Sequence, residues 1–453
     1  MPPPDATACV CVEPLAWHDP VSVTAPYADE AYALLLLSCG GARWSYLARR
    51  PETVTRLTVA DRPDSFLSLR DLLGARRPGA GDGPPFQGGV VGLAAYEFAD
   101  RLETLGLARD GDWPDLILAR YTALLAFDHR TRRLLAIGRG KDSAAATARA
   151  ADAAAWIAPV AAGGQTTEPG ILADRFEIEG APGAYEAAVT DVTARIAAGE
   201  IFQANIASAW TGTLTPDASP FAVFARLQAQ SPAPFCAYWR LPGLALVSHS
   251  PERFIGLDTD GRVETRPIKG TMPRGQDAPD DARLKQALCA SAKDRAENLM
   301  IVDLMRNDLS RVCTPGTVRV PDLFRIESYR SVHHLVSTIV GRLDAGRDAA
   351  DLLAATFPPG SITGAPKIQA MRVIAGHEPP RGPWCGTLFW AGFDGAMDSS
   401  VLIRTAAFVQ TAGGWRFRAC AGAGIVADSD PVAERRETEV KIAGLARALT
   451  EPA

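Results

Sequence analysis

The stretch "HSPERFIGLDTDGRVETRPIKG", His249 to Gly270, sets the fold class: two strand-like runs flank an Asp260-Gly261 pair. Such a pair signals a two-residue type I′ hairpin turn, because both central positions need positive φ. That turn sets Thr259 opposite Arg262 and Glu252 opposite Lys269, so a carboxylate and an amine meet with Cβ atoms roughly 5 Å apart. Pro267 leaves a ladder hydrogen bond unmade, which places this end at an edge or rim. The residues alone fit two arrangements. One is an exposed ion pair worth under about 1 kcal/mol. The other is a desolvated pair in a cleft, where burial drives Lys269 toward a neutral, nucleophilic amine and Glu252 toward a proton-carrying acid.

The hairpin has strand-like neighbours on its N-terminal side, "FCAYWRL" and "LALVSH", and before them the amphipathic run "PGAYEAAVTDVTARIAAGE", a helix ending near Gly199. Further back, "RLTVA" reads as a strand, "RYTALLAFDHRTRRLLAIGR" as a hairpin turning at Asp128 to Thr131, and "SAAATARAADAAAWIA" as an Ala-rich helix. Strands and helices mix without strict βαβ alternation, which predicts an α+β fold: antiparallel sheets with helices packed against them. The small, polar "PVAAGGQTTEPG", Pro159 to Gly170, reads as a linker, dividing the chain into regions 1–165 and 171–453.

Composition excludes several classes. The 453 residues are 47% hydrophobic and 22% charged, as in an ordinary globular protein with a large core. A formal charge of only -5 with no basic run argues against nucleic-acid binding. "MPPPDATACVCVEPLAW" lacks a secretory signal and "AYALLLLSC" is too short to span a bilayer, so a cytoplasmic, non-membrane protein is expected. The eight cysteines are scattered and read mostly as small buried hydrophobes.

Two helices carry paired carboxylates. In "SAKDRAENLMIVDLMRNDLSRV", Asp294 and Glu297 share a face beside an apolar side that includes Ile301, Leu304, Met305 and Leu309. In "SDPVAERRETEVKIAGLARAL", Asp430 caps, Pro431 takes the first turn, and Glu434 and Glu437 repeat the i, i+3 spacing. Each pair fits an ordinary solvated face, with Glu437 bonded to Lys441. Converging, the helices also fit a Mg2+ site that keeps several waters. "FPPGSITGAPKIQAM" sets a Gly/Ser/Thr-rich turn before a helix, either a plain cap or an anion site. "SSVLIRTAAFVQTAGGWRFRACAGAGIVA" predicts a hairpin centred on Ala412-Gly413 that brings Arg404 beside Ala421 and the Gly422–Gly424 run; a carboxylate clamp and a structural arginine both fit.

Taken in order, "PFQGGVVGLAAYEF", "GEIFQANIA", "SPERF", "PIKGT", "DRAENLMIVDLMRND", "HHLVSTI", "GSITGAPK", "WCGTLFW", "VLIRT", "AGAGIVADS" and "ERRET" resemble the chorismate-utilising enzymes, and within that family the aminodeoxychorismate synthase component I branch. The resemblance implies a sandwich of antiparallel β-sheets flanked by helices, with N- and C-terminal halves interleaved. Related anthranilate synthases carry alanine at the position of Lys269. By similarity, the Lys269 amine attacks C2 of chorismate with loss of the C4 hydroxyl, ammonia adds at C4 and expels the lysine, and Glu252 is the general acid/base. Glu297 and Glu437 match Mg2+ ligands, with Asp294 and Glu434 behind them. Gly270, Thr271, His334, Ser361, Gly364, Trp384, Arg404, Gly422, Ala423 and Gly424 match substrate-pocket positions. The implied product, 4-amino-4-deoxychorismate, leads to 4-aminobenzoate and folate. Alternatives are an anthranilate or isochorismate synthase, or a non-catalytic chorismate-binding relative.

Two positions depart from the family pattern. Pro359 stands where glycine is common, and "LLLLSCGG" lacks the acidic residue of tryptophan-inhibited relatives, so feedback control is not inferred. No cysteine lies in a G-x-C-x-G elbow. Ammonia is therefore expected from solution or from a separate glutamine amidotransferase subunit.

Overall fold

A computed structural model describes residues 9–39, 43–58, 60–61, 65–81, 83–161, 170–329 and 332–452. The linker reading falls largely on residues outside these. Two antiparallel sheets, of twelve and ten strands, carry the architecture. Both draw strands from the two ends of the chain. Leu34–Leu37 pairs with Phe235–Leu241 in the first, and Gly89–Ala94 pairs with Thr387–Gly392 in the second. The halves are thus interleaved, as the α+β sandwich reading requires.

The sheets face each other across one apolar cluster that includes Trp239 and Leu246 from the first and Tyr121 and Leu388 from the second, all nearly solvent-free. Helices cover the outer faces. Leu227, Ile442 and Leu445 pack on the first sheet, and Ile301, Met305 and Leu353 on the second. Amphipathic stripes buried against a sheet supply most of the helices' stability. The Pro431–Thr450 helix begins as its sequence predicts, with Asp430 accepting from Ala433 N–H and Pro431 in the first turn. The Ala184–Ala197 helix stops before Gly199, whose φ is +80°.

Three details differ from expectation. The Asp260-Gly261 turn is a three-residue loop: Gly256 pairs with Glu264 and Leu257 with Val263, one residue out of the predicted register. Gly261 alone has positive φ, +86°, and Asp258 closes the loop with Arg262. An Asp-Gly pair serves this loop as well as a type I′ turn. The "RLTVA" strand lies earlier, at Thr53–Leu57. Of the eight cysteines, Cys236, Cys313, Cys385 and Cys420 are buried, whereas Cys9, Cys11 and Cys39 are half-buried and Cys289 is exposed.

Candidate active site

The corrected register changes how Lys269 meets Glu252. Strand Arg262–Thr265 ends, the chain passes Pro267, and among the described residues Ile268–Pro273 then pairs only with Val332–Arg342. In that ladder Ile268 faces Val336 and Thr271 faces His334, so one extra residue bulges out at Lys269-Gly270. A bulge re-aims a side chain, and here it turns Lys269 inward. Gly270 is required by the turn: its φ is +81°, and a Cβ would lie 2.8 Å from Asp294 Cγ.

The Lys269 ammonium lies 3.9 Å from Glu297 Oε2, and both side chains are only 13% exposed. Burial lowers the Lys269 pKa, opposed by Glu297 and reinforced by the Lys441 charge. Glu252 is 5% exposed. Burial pushes its pKa up to about 7, against a hydrogen bond with the Ser361 side chain, the Lys269 charge and the Ile268 N–H. A nucleophile moved toward neutrality beside an acid that titrates near neutrality matches the needs of amine attack with protonation of a leaving group.

The Pro431–Thr450 and Ala292–Ser310 helices deliver the predicted carboxylates. Burial and the like charges of Asp294 and Glu437 raise the Glu297 pKa, although Lys269 and Lys293 oppose them. Burial works against the charge on Glu437 too, but Lys441, 2.7 Å away, wins and lowers its pKa. Lys293 reaches Glu434 at 3.4 Å and Glu297 at 4.0 Å. Glu434 also accepts from Ser429 Oγ at 2.7 Å. Asp294 packs against Gly270. Among the described residues no three His, Cys, Asp or Glu side chains are grouped closely enough to hold a metal by themselves.

The glycine-rich strand forms one wall. Gly414–Ile425 pairs with Gln203–Thr213 and, through the predicted Ala412-Gly413 turn, with Thr405–Thr411. A Cβ on Gly424 would meet Gln203 Nε2 at 2.1 Å and Lys269 Nζ at 3.2 Å, and one on Gly422 would meet Asn205 Oδ1 at 2.4 Å and the Trp384 ring at 3.0 Å. Strand alternation turns Ala423 the other way, into a cluster with Val192 and Ile374, so only its backbone belongs to the wall. Gly364, φ +144°, admits Gln203 O where a Cβ would collide.

His334 Nδ1 is 2.9 Å from Thr271 Oγ1, and burial followed by the Arg404 and His333 charges lowers its pKa to about 4, leaving it neutral. Arg404, whose φ is +51°, has its pKa lowered by burial, and no carboxylate meets its guanidinium among the described residues. A desolvated cation acting on a neutral imidazole attracts an anionic ligand.

Gln203 was not evident as a site residue. It is 1% exposed, and neither amide atom has a partner among the described residues. Its place in "GEIFQANIA" was the available signal. The sequence pairs Lys441 with Glu437, and in the fold it also donates to Gly422 O at 2.8 Å.

Comparison with known proteins agrees with this geometry. A family model described as chorismate binding enzyme matches residues 32–447. The chain is 44% identical over 361 residues to aminodeoxychorismate synthase component 1 of Klebsiella aerogenes, covering 79% of this chain and 76% of that one. It is 40% identical to anthranilate synthase component 1 of Thermus thermophilus, covering 81% and 79%. Among solved structures, anthranilate synthase component I from Streptococcus pneumoniae superposes with a TM-score of 0.78 at 27% identity, covering 91% of this chain and 94% of the other. With the matched region spanning both sheets and every element around Lys269 and Glu252, the chain belongs to the chorismate binding enzyme family.

Proposed function

We propose that this chain is an aminodeoxychorismate synthase component I, aminating chorismate to 4-amino-4-deoxychorismate through a covalent bond to Lys269. The observation that carries the reading is a buried lysine, turned inward by a strand bulge, whose charge acts on a buried carboxyl group with its pKa raised to about 7. The Lys269 amine attacks C2, the ring double bonds shift, and the C4 hydroxyl departs as water with the proton of Glu252. Ammonia then adds at C4, the double bonds shift back, and the C2–N bond to Lys269 breaks. Arg404 and the Gly422–Gly424 amides orient a carboxylate; neutral His334, held by Thr271, faces the same space.

Glu297 and Glu437 offer the hard oxygen donors that Mg2+ takes together with retained waters, and their charges are close enough to perturb one another. They would hold the ion, with Asp294 and Glu434 supporting. Bound there, Mg2+ would supply positive charge for the substrate's ring carboxylate.

Ammonia is expected from a separate glutamine amidotransferase subunit, in keeping with the component 1 naming of the relatives. A cytoplasmic location and a place before 4-aminobenzoate and folate belong to the same proposal; among the described residues no helix is long and apolar enough to cross a membrane. The test is product analysis with chorismate, Mg2+ and an ammonium salt. The reading expects 4-amino-4-deoxychorismate without pyruvate. Anthranilate with pyruvate, or isochorismate, would reassign the reaction, and no turnover would make the chain a binding relative.

A further inference from the structure

Behind the pocket wall a buried arginine joins three separate parts of the site. Arg381 lies between the Lys367–Ala375 helix and the Thr387–Gly392 strand and is 4% exposed. Its guanidinium donates to Asn205 O at 2.7 Å, on the strand that presents Gln203 to Lys269, and to Ile362 O at 3.2 Å, in the turn that presents Ser361 to Glu252. Its plane also lies 4.9 Å from the Trp384 ring, which overhangs Gly422, and 4.6 Å from Tyr96.

The arginine is itself held on all sides. Glu378 takes its Nε at 2.9 Å and one terminal nitrogen at 3.1 Å, and the same carboxylate accepts Ala207 N–H at 2.7 Å. Glu97 accepts the backbone N–H groups of Arg381 and Gly382 at 2.6 and 3.0 Å. A planar five-donor fork suits this arrangement, and a lysine ammonium cannot span the same acceptors or stack on two rings.

We infer that Arg381 is a positioning residue that sets the mutual register of Ser361, Trp384 and Gln203, and through them the alignment of Glu252 and Lys269 with the substrate. The inference rests on the proposed amination of chorismate. A misplacement on the order of 1 Å costs up to about 100-fold in rate. The loss falls on the chemical step, because Arg404 and the glycine amides still bind substrate in the ground state.

The test compares Arg381→Lys with the wild type for kcat, KM and melting temperature. Arg226→Lys serves as control. That buried arginine likewise bridges carbonyls, those of Gly170, Ala448 and Glu451, the last two at the far end of the helix that carries Glu437. The expected result is a kcat lowered between about 10- and 100-fold with KM within about threefold, while Arg226→Lys lowers the melting temperature and leaves kcat intact. A folded Arg381→Lys enzyme with wild-type kcat overturns the inference. If that variant does not fold, Glu378→Gln is read instead: it keeps the side-chain volume, weakens the hold on Arg381, and should lower kcat with KM unchanged. Wild-type kcat in folded Glu378→Gln also overturns the inference. Wild-type turnover in the same assay separates the two questions, since its absence removes the functional reading and this inference together.

Discussion

Replacing Glu252 by glutamine should abolish turnover and at the same time stabilise the protein at alkaline pH. Its pKa is raised from an ordinary 4.5 to about 7, chiefly by burial. The folded state therefore favours the protonated carboxyl. The stability linked to this group is fully present below the unfolded pKa and is lost as pH rises through the folded one. With 5% exposure there is little solvent screening to discount. Between about pH 5.5 and about pH 8.5 the wild type gives up roughly 1.5 pKa units of preference, about 2 kcal/mol at 1.36 kcal/mol per unit. Glutamine never ionises, so the stability difference, variant minus wild type, should grow by about 2 kcal/mol across that window. Glu97, also raised to about 7 by burial, titrates in both proteins and cancels. Urea unfolding at the two pH values measures the difference. A difference independent of pH would show that Glu252 is ionised throughout, and its role as a proton donor would fall with it.

Gly424→Ala should cost much more activity than stability. The new Cβ would meet the flexible end of Gln203 at 2.1 Å and stand 3.2 Å from Lys269 Nζ. Displacing that amide is expected to lower the melting temperature modestly, by the equivalent of about 1–3 kcal/mol, and to reduce kcat/KM at least about tenfold; steady-state kinetics beside thermal unfolding checks both. Lys367→Met should act on stability first. Lys367 donates to Asp308 at 2.6 Å and to Thr356 O at 2.7 Å, and both charged side chains are nearly buried. Removing one partner strands the other, at about 3–5 kcal/mol by chemical denaturation.

The parts of the molecule governed by local rules were legible in the sequence. The Asp430 cap with Pro431 and the Ala412-Gly413 turn, whose ladder runs back to Ala406 opposite Ala419, follow from adjacent residues alone. The Asp260-Gly261 loop was legible as a hairpin but not in register, because one glycine at positive φ satisfies two loop lengths. The bulge that aims Lys269 depends on which strand Ile268–Pro273 chooses as partner, and that partner lies more than sixty residues away. Lysine and glutamate still converge, brought together by the bulge and by an Ile268 N–H reaching Glu252 rather than by direct cross-strand pairing. Arg381 carried no local signal, and Gln203 only its place in a run of the sequence. Their meaning comes from what four distant segments place around them, and no spacing rule reports that.

The most direct test of the account is intact-protein mass spectrometry after incubation with chorismate and Mg2+ without ammonia, followed by peptide mapping. The account predicts a covalent adduct of chorismate less one water on Lys269, discharged by ammonium and absent from Lys269→Ala. An unmodified Lys269 in enzyme that turns over chorismate once ammonium is added, or unimpaired product formation by Lys269→Ala, would contradict it.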